Sequence, residues 1–104
     1  MSESTQHALR TTQYVSLAII IVSYNVRELL RACLDATYAS LARAPEVDAT
    51  VWVADNASAD GSAAMVAAEF PQVRLIAGRE NLGFAGGNNL VLRELGLRDQ
   101  VKVQ

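Results

Sequence analysis

The sequence is poor in the features that mark several large classes of protein. Nine Lys and Arg stand against eleven Asp and Glu, a formal net charge of −2, so no basic surplus advertises a nucleic-acid or anionic-lipid partner. A single cysteine, Cys33, excludes an intramolecular disulfide and suits a reducing compartment, so a cytoplasmic location is expected. No His/Cys cluster has metal-ligand spacing. The longest apolar run, Val15 to Val22, falls far short of the roughly 20 residues of a membrane span. The polar N-terminus lacks the cationic start and cleavage pattern of a signal peptide. No low-complexity stretch or internal repeat interrupts the chain. What remains, 51% hydrophobic and 19% charged, is the composition of a folded domain. At 104 residues such a domain is short for a complete two-substrate enzyme.

Residues 1–13 (MSESTQHALRTTQ) are polar and aperiodic, and are expected to be a flexible leader in which His7 has no role. Residues 14–104 are expected to form one α/β unit, the first part of a larger domain. Val15 to Val22 is β-branched and continuously apolar, the pattern of a strand covered on both faces. Val26, Leu29, Leu30, Cys33, Leu34, Thr37, Tyr38 and Leu41 then recur at helical spacing, with Asn25 as N-cap, Glu28 as capping-box partner and an end before Pro45. Thr50 to Ala54 predicts a second strand. Asp60 or Ser62 is placed to cap a short helix ending before Pro71, and Val73 to Ala77 a third strand. The loop GRENLGFAGGNN precedes a third helix through Leu90, Val91, Leu92 and Leu95 to Gly96. VKVQ at the end reads as the start of a fourth strand. Cys33 and Trp52 are expected in the core.

The order β-α-β-α-β-α predicts a three-layer α/β/α, Rossmann-like parallel sheet with strand order 3-2-1, whose ligands bind beyond the C-terminal strand ends. Three polar motifs fall there. Ser23-Tyr24-Asn25 offers a ring for base stacking, or simply a wall residue followed by a cap. Asp55 to Ser62 (DNASADGS) puts a carboxylate beside a carboxamide, either of which can accept from the N3–H of uracil or thymine. The same residues also form Asx turns. Asn81 to Asn89 (NLGFAGGNN) has glycines that admit a diphosphate to a helix N-terminus, or that permit a tight strand-to-helix turn. Strand one is not followed by G-x-G-x-x-G, which excludes a dinucleotide-type Rossmann site, and no G-K-[ST] phosphate loop is present.

Together and in order, IVSYN, VADNASADGS and NLGFAGGNN resemble the family 2 glycosyltransferases, most closely their rhamnosyltransferase-like branch, over residues 17 to about 92. The resemblance implies part of a GT-A fold binding a nucleoside-diphosphate sugar, a UDP- or dTDP-sugar with dTDP-rhamnose among them. The sugar passes to a glycan or lipid acceptor. Carried onto this chain, the nucleotide-sugar site has Ser23 and Tyr24 lining the base and ribose pocket and Asp55 and Asn56 facing the base, with Asn25 and Ser58 also among its binding residues. Asn81, Gly83, Phe84, Ala85, Gly86, Gly87 and Asn88 border the diphosphate and sugar. Many relatives have two aspartates where this chain has Asp55-Asn56, which leaves open which of the pair reads the base. The family's Mg2+- or Mn2+-binding Asp-x-Asp and its general base have no counterpart here, since Asp99 has no second carboxylate two residues on. Leu90-Val91 also replace expected small residues. The expectation is therefore an N-terminal, nucleotide-binding portion with no complete metal site, no catalytic residue and no turnover by itself. The alternative is a non-catalytic nucleotide-binding module acting with a separate catalytic chain.

Overall fold

The computed structural model describes residues 15–96; the leader, His7, Asp99 and the VKVQ segment lie outside them. The elements alternate as β1 (Val15–Ser23), α1 (Arg27–Ala42), β2 (Val47–Asp55), α2 (Ser62–Glu69), β3 (Arg74–Ala77) and α3 (Gly83–Glu94). The three strands form one parallel sheet in the order β1-β2-β3, the expected 3-2-1 arrangement. This is an α/β fold consistent with part of a GT-A domain.

Strand alternation divides the sheet between two sets of helices. Ile19, Ile21, Val51, Val53 and Leu75 face α1 and α2, where they pack with Leu30, Leu34, Met65, Val66, Phe70 and Val73. Leu34, Val53 and Val66 are fully buried, and each such side chain stabilises the fold by about 1.5–3 kcal/mol. Helix α1 presents Leu30, Leu34, Tyr38 and Leu41 to this core, a stripe at helical spacing. Cys33 is exposed rather than packed. It follows Leu30 by three residues, which rotates it off the buried stripe toward the helix flank.

The opposite face is covered by α3, and there glycine decides the fit. A Cβ on Gly87 would lie 2.7 Å from Val22 Cγ1 and 3.1 Å from Cγ2, so the bare backbone of the helix rests directly on β1. Val91, one turn further on, is fully buried. Cover is restricted to the C-terminal half of the sheet. Val15 and Leu17 remain 56% and 46% exposed, which corrects the expectation of a strand buried on both faces throughout. Trp52 is likewise half-buried, with the Arg74 guanidinium 5.9 Å from its ring centroid, a cation–π contact at the open part of the sheet rather than a core position.

Helix starts also depart from expectation. The N-cap of α1 is Val26, with no side-chain cap bond, and Asn25 lies one residue before it at φ 52. Glu28 does not complete a capping box but pairs with Arg27 and Arg31. Arg31 reaches across to α2, its Nε and Nη2 each 2.8 Å from a carboxylate oxygen of Glu69. At the other end, Gly96 at φ 74 closes α3 as anticipated, its N–H donating to Arg93 O at 3.0 Å.

Hydrogen bonding to Arg31 holds both Glu28 and Glu69 below their ordinary value of 4.5. Depressed carboxylates contribute stability that is present above the unfolded value and lost as pH falls through the folded one. Stability measured by urea unfolding should thus fall below about pH 4.5, and Arg31→Leu should flatten that slope; an unchanged slope would dismiss the triad. Gly87→Val should cost about 1–3 kcal/mol by overpacking, partly restored by adding Val22→Ala, again measured by urea unfolding.

Candidate nucleotide-binding edge

Ser23, Asp55 and Ala77 are in register across the three strands, so the strands finish level and their exit loops share one edge. Backbone bonds join the exits. Asn56 N–H donates to Ser23 O at 2.8 Å and Gly78 N–H to Asp55 O at 2.7 Å. Gly78 was not singled out in the sequence, although a glycine directly after a strand is the signal that marks it. A Cβ there would lie 2.9 Å from Asp55 O.

Asp55 is 3% exposed, and its carboxylate is hydrogen-bonded by neighbours rather than left unpaired. Its Oδ1 accepts from the hydroxyls of Ser23 at 3.0 Å and Ser58 at 2.6 Å, while Oδ2 accepts from Ser58 N–H at 2.9 Å. Ala57 at φ 61 bends the chain to make this turn. The first two motifs are further stitched together, because Asn25 N–H donates to Ser58 Oγ at 2.8 Å and Ala59 N–H to Asn25 Oδ1 at 2.7 Å. Tyr24, between Ser23 and Asn25, is left 49% exposed.

Asn56 is also 3% exposed but serves the other side of the sheet. Its Oδ1 accepts from Leu82 N–H at 3.3 Å and its Nδ2 donates to Gly83 O at 3.0 Å, which fixes the entry to α3. The third motif departs most from the sequence reading. Gly83, Phe84, Ala85, Gly86, Gly87 and Asn88 are not a loop, since α3 begins at Gly83 and includes them all. Gly86 and Gly87 therefore form no tight turn, and the requirement for glycine at position 87 comes from helix–strand packing. Asn81 lies outside the helix and closes an Asx turn onto Gly83 N–H at 2.8 Å. Asn88 turns inward to the helix, its Nδ2 donating to Phe84 O at 3.0 Å. Phe84 is 76% exposed beside the helix start.

A hollow of about 350 Å³ lies at this edge, between Asn25 to Leu29 and Asp60. A larger one, about 550 Å³, lies at the other end of the sheet among Ser16, Asp48, Thr50, Trp52, Arg74 and Glu94. None of the three polar motifs contributes to the larger hollow, so size does not identify the site.

The Glycosyl transferase family 2 profile matches residues 18–95. The chain belongs to this family. Comparison with curated proteins and with solved structures gives no match. Membership makes the chain part of a lineage of nucleotide-sugar glycosyltransferases and implies, at that coarse level, a nucleotide-sugar donor and an acceptor. Among the described residues no helix is long and apolar enough to cross a membrane.

If Ser23, Ser58 and Asp55 form one network, deleting either hydroxyl loses a bond to a buried carboxylate. Ser23→Ala and Ser58→Ala should each destabilise by about 1–3 kcal/mol. The double variant should fall short of or exceed their sum by more than about 0.5 kcal/mol. Additive losses in chemical denaturation would mean that the two serines act independently.

Proposed function

We propose that this edge binds the nucleoside-diphosphate part of a sugar donor, a UDP- or dTDP-sugar, with dTDP-rhamnose the donor in a rhamnosyltransferase-like branch. Transfer to a glycan or lipid acceptor, in the cytoplasmic synthesis of cell-wall polysaccharide, is the wider reaction. The observation that carries this reading is the half-exposed Tyr24 ring on a turn tied at both ends, beside the buried Asp55 carboxylate at the level ends of β1 and β2. A pyrimidine stacked on Tyr24 would present its N3–H to an acceptor, and its carbonyls to backbone N–H groups of the rim.

Of the neighbouring pair, Asp55 is the better base reader. Asn56 has its carbonyl and amide engaged at the start of α3. Asp55 Oδ2 carries only the Ser58 N–H, and an ionised carboxylate has lone-pair capacity beyond that. The diphosphate would then run toward Asn81 and the first turn of α3, where backbone N–H groups and the helix dipole favour negative charge. Phe84 and Ala85 carry amides there, while Gly83 N–H is taken by Asn81 Oδ1. Gly87 serves instead to seat the helix on Val22, Gly86 leaves room for the Leu82 side chain, and Asn88 bonds back to Phe84 O.

Transfer chemistry in this reading also calls for Mg2+ or Mn2+. Among the described residues no group of three His, Cys, Asp or Glu side chains comes together to hold such an ion. Asp55 has hydroxyl and amide neighbours, Ser23 and Ser58, in place of a second carboxylate. The described residues do not fit the ion.

The test is a ligand-detected NMR titration of the chain with UDP, dTDP and ADP. UDP or dTDP should bind about tenfold more tightly than ADP, a difference expected of one charge-assisted hydrogen bond. Tyr24→Ala should weaken UDP about tenfold through lost stacking while leaving the unfolding midpoint within error. Equal competition by all three nucleotides would remove base reading, and unchanged affinity in Tyr24→Ala would remove the stacking role.

A further inference from the structure

We infer that Asp60 is a positioning residue for this site, a single carboxylate that caps the first turns of both α1 and α2 and so fixes the Tyr24 turn against the Asp55 loop. Its consequence for affinity rests on the nucleotide-binding reading above; its geometry does not. Asp60 Oδ2 accepts from Arg27 N–H, the first residue of α1, at 2.9 Å across 33 positions of sequence. Oδ1 accepts from Ser62 N–H, the first residue of α2, at 3.0 Å and from the Ser62 hydroxyl at 2.5 Å.

Neither helix has a capping side chain at its own N-cap. Val26 has no oxygen to offer, and Gly61, at φ 83, has no side chain. Both helices therefore draw on the same carboxylate, which also sets one negative charge at the positive ends of two helix dipoles. Bonding to Ser62 and the two helix amides holds the Asp60 carboxyl below its ordinary value, as expected when the charged form is the one being bonded. Serine and asparagine cap single helices well, but each has one acceptor oxygen. Only a carboxylate has two oxygens to divide between two helices.

The double cap continues into the site. Next to it run the Ala59 N–H bond to Asn25 Oδ1 and the Asn25 N–H bond to Ser58 Oγ, and Ser58 holds Asp55. Tyr24 thus sits between Ser23, locked to Asp55, and an α1 start locked to Asp60. Without the Arg27 bond the C-terminal end of the turn carrying Tyr24 is held only through the two Asn25 bonds, and the ring is less firmly placed beside the Asp55 loop.

The test uses the full chain, isotopically labelled, as wild type, Asp60→Asn and Asp60→Ala, with amide hydrogen exchange and a UDP titration at a temperature where circular dichroism shows each protein folded. Asp60→Ala should speed exchange at both Arg27 and Ser62, shift the amide resonances of Asn25 and Ala59, and weaken UDP about fivefold. Asp60→Asn, with one acceptor, should retain protection at one of the two helix starts and lose it at the other. If Asp60→Ala alters Ser62 alone and leaves Arg27, Asn25 and UDP affinity as in wild type, Asp60 is an ordinary cap of α2 and the inference fails. Should the variants not fold, exchange in the wild type decides: Arg27 N–H protected alongside Ser62 supports the double cap, and Arg27 exchanging at the rate of a free peptide overturns it. A wild-type chain that binds no UDP would remove the nucleotide reading and the affinity consequence with it, while the Arg27 and Ser62 amides would still decide the double cap.

Discussion

The level ending of β1 and β2 is the constraint from which the rest of the edge follows. With Ser23 opposite Asp55, a buried carboxylate finds a hydroxyl at hydrogen-bond distance without any loop having to reach for it. A buried ionised group left unpaired would be costly, so the chain after β2 must turn back and supply Ser58. That turn requires positive φ at Ala57, and it delivers Ala59 and Asp60 to the start of α1. The bonds to the Asp55 side chain, with those of Asn25 and Asp60, fix the path of the eight residues Asp55 to Ser62 beside the start of α1.

Alternation at the end of β2 explains why two adjacent polar residues do different work. Asp55 continues the side of the sheet that carries Val51 and Val53, and meets Ser23 and Ser58 there. Asn56 falls to the other side and meets the start of α3. A carboxamide suits that second place, because it must accept from Leu82 N–H and donate to Gly83 O together, which a carboxylate cannot do. The replacement of a second aspartate by Asn56 is thus intelligible as a connection between β2 and α3, whatever becomes of the base.

The strands, their order and the edge that carries the motifs were legible in the sequence because they depend on long apolar runs and on the handedness of crossovers, both of which are local or general properties. The errors arose where tertiary contact overrides local preference. NLGFAGGNN has the glycine content of a loop, yet Gly87 is helical because only a residue without Cβ lets α3 lie on Val22. Cys33 fits a helical stripe by spacing but is exposed, because Leu30 and Leu34 set the rotation of α1. Asn25 reads as a cap from its position before α1, whereas the bond to Arg27 comes from Asp60, and no local pattern reveals a cap supplied from 33 residues away.

The same comparison separates what the glycines and asparagines of the third motif contribute. Asn81 shapes the turn into α3, Gly87 seats the helix, and Asn88 bonds back to Phe84 O, so three of its polar or small residues have structural duties that would persist without a ligand. The ligand-facing capacity of the motif is then concentrated in the backbone of its first helical turn. On the opposite flank, Asp60 removes Arg27 N–H from the amides at the start of α1. An anion arriving at the edge meets a carboxylate at the start of α1 and α2 but none in the first turn of α3, and within the proposed nucleotide reading this asymmetry suits the α3 side to the diphosphate and the Tyr24 side to the uncharged base.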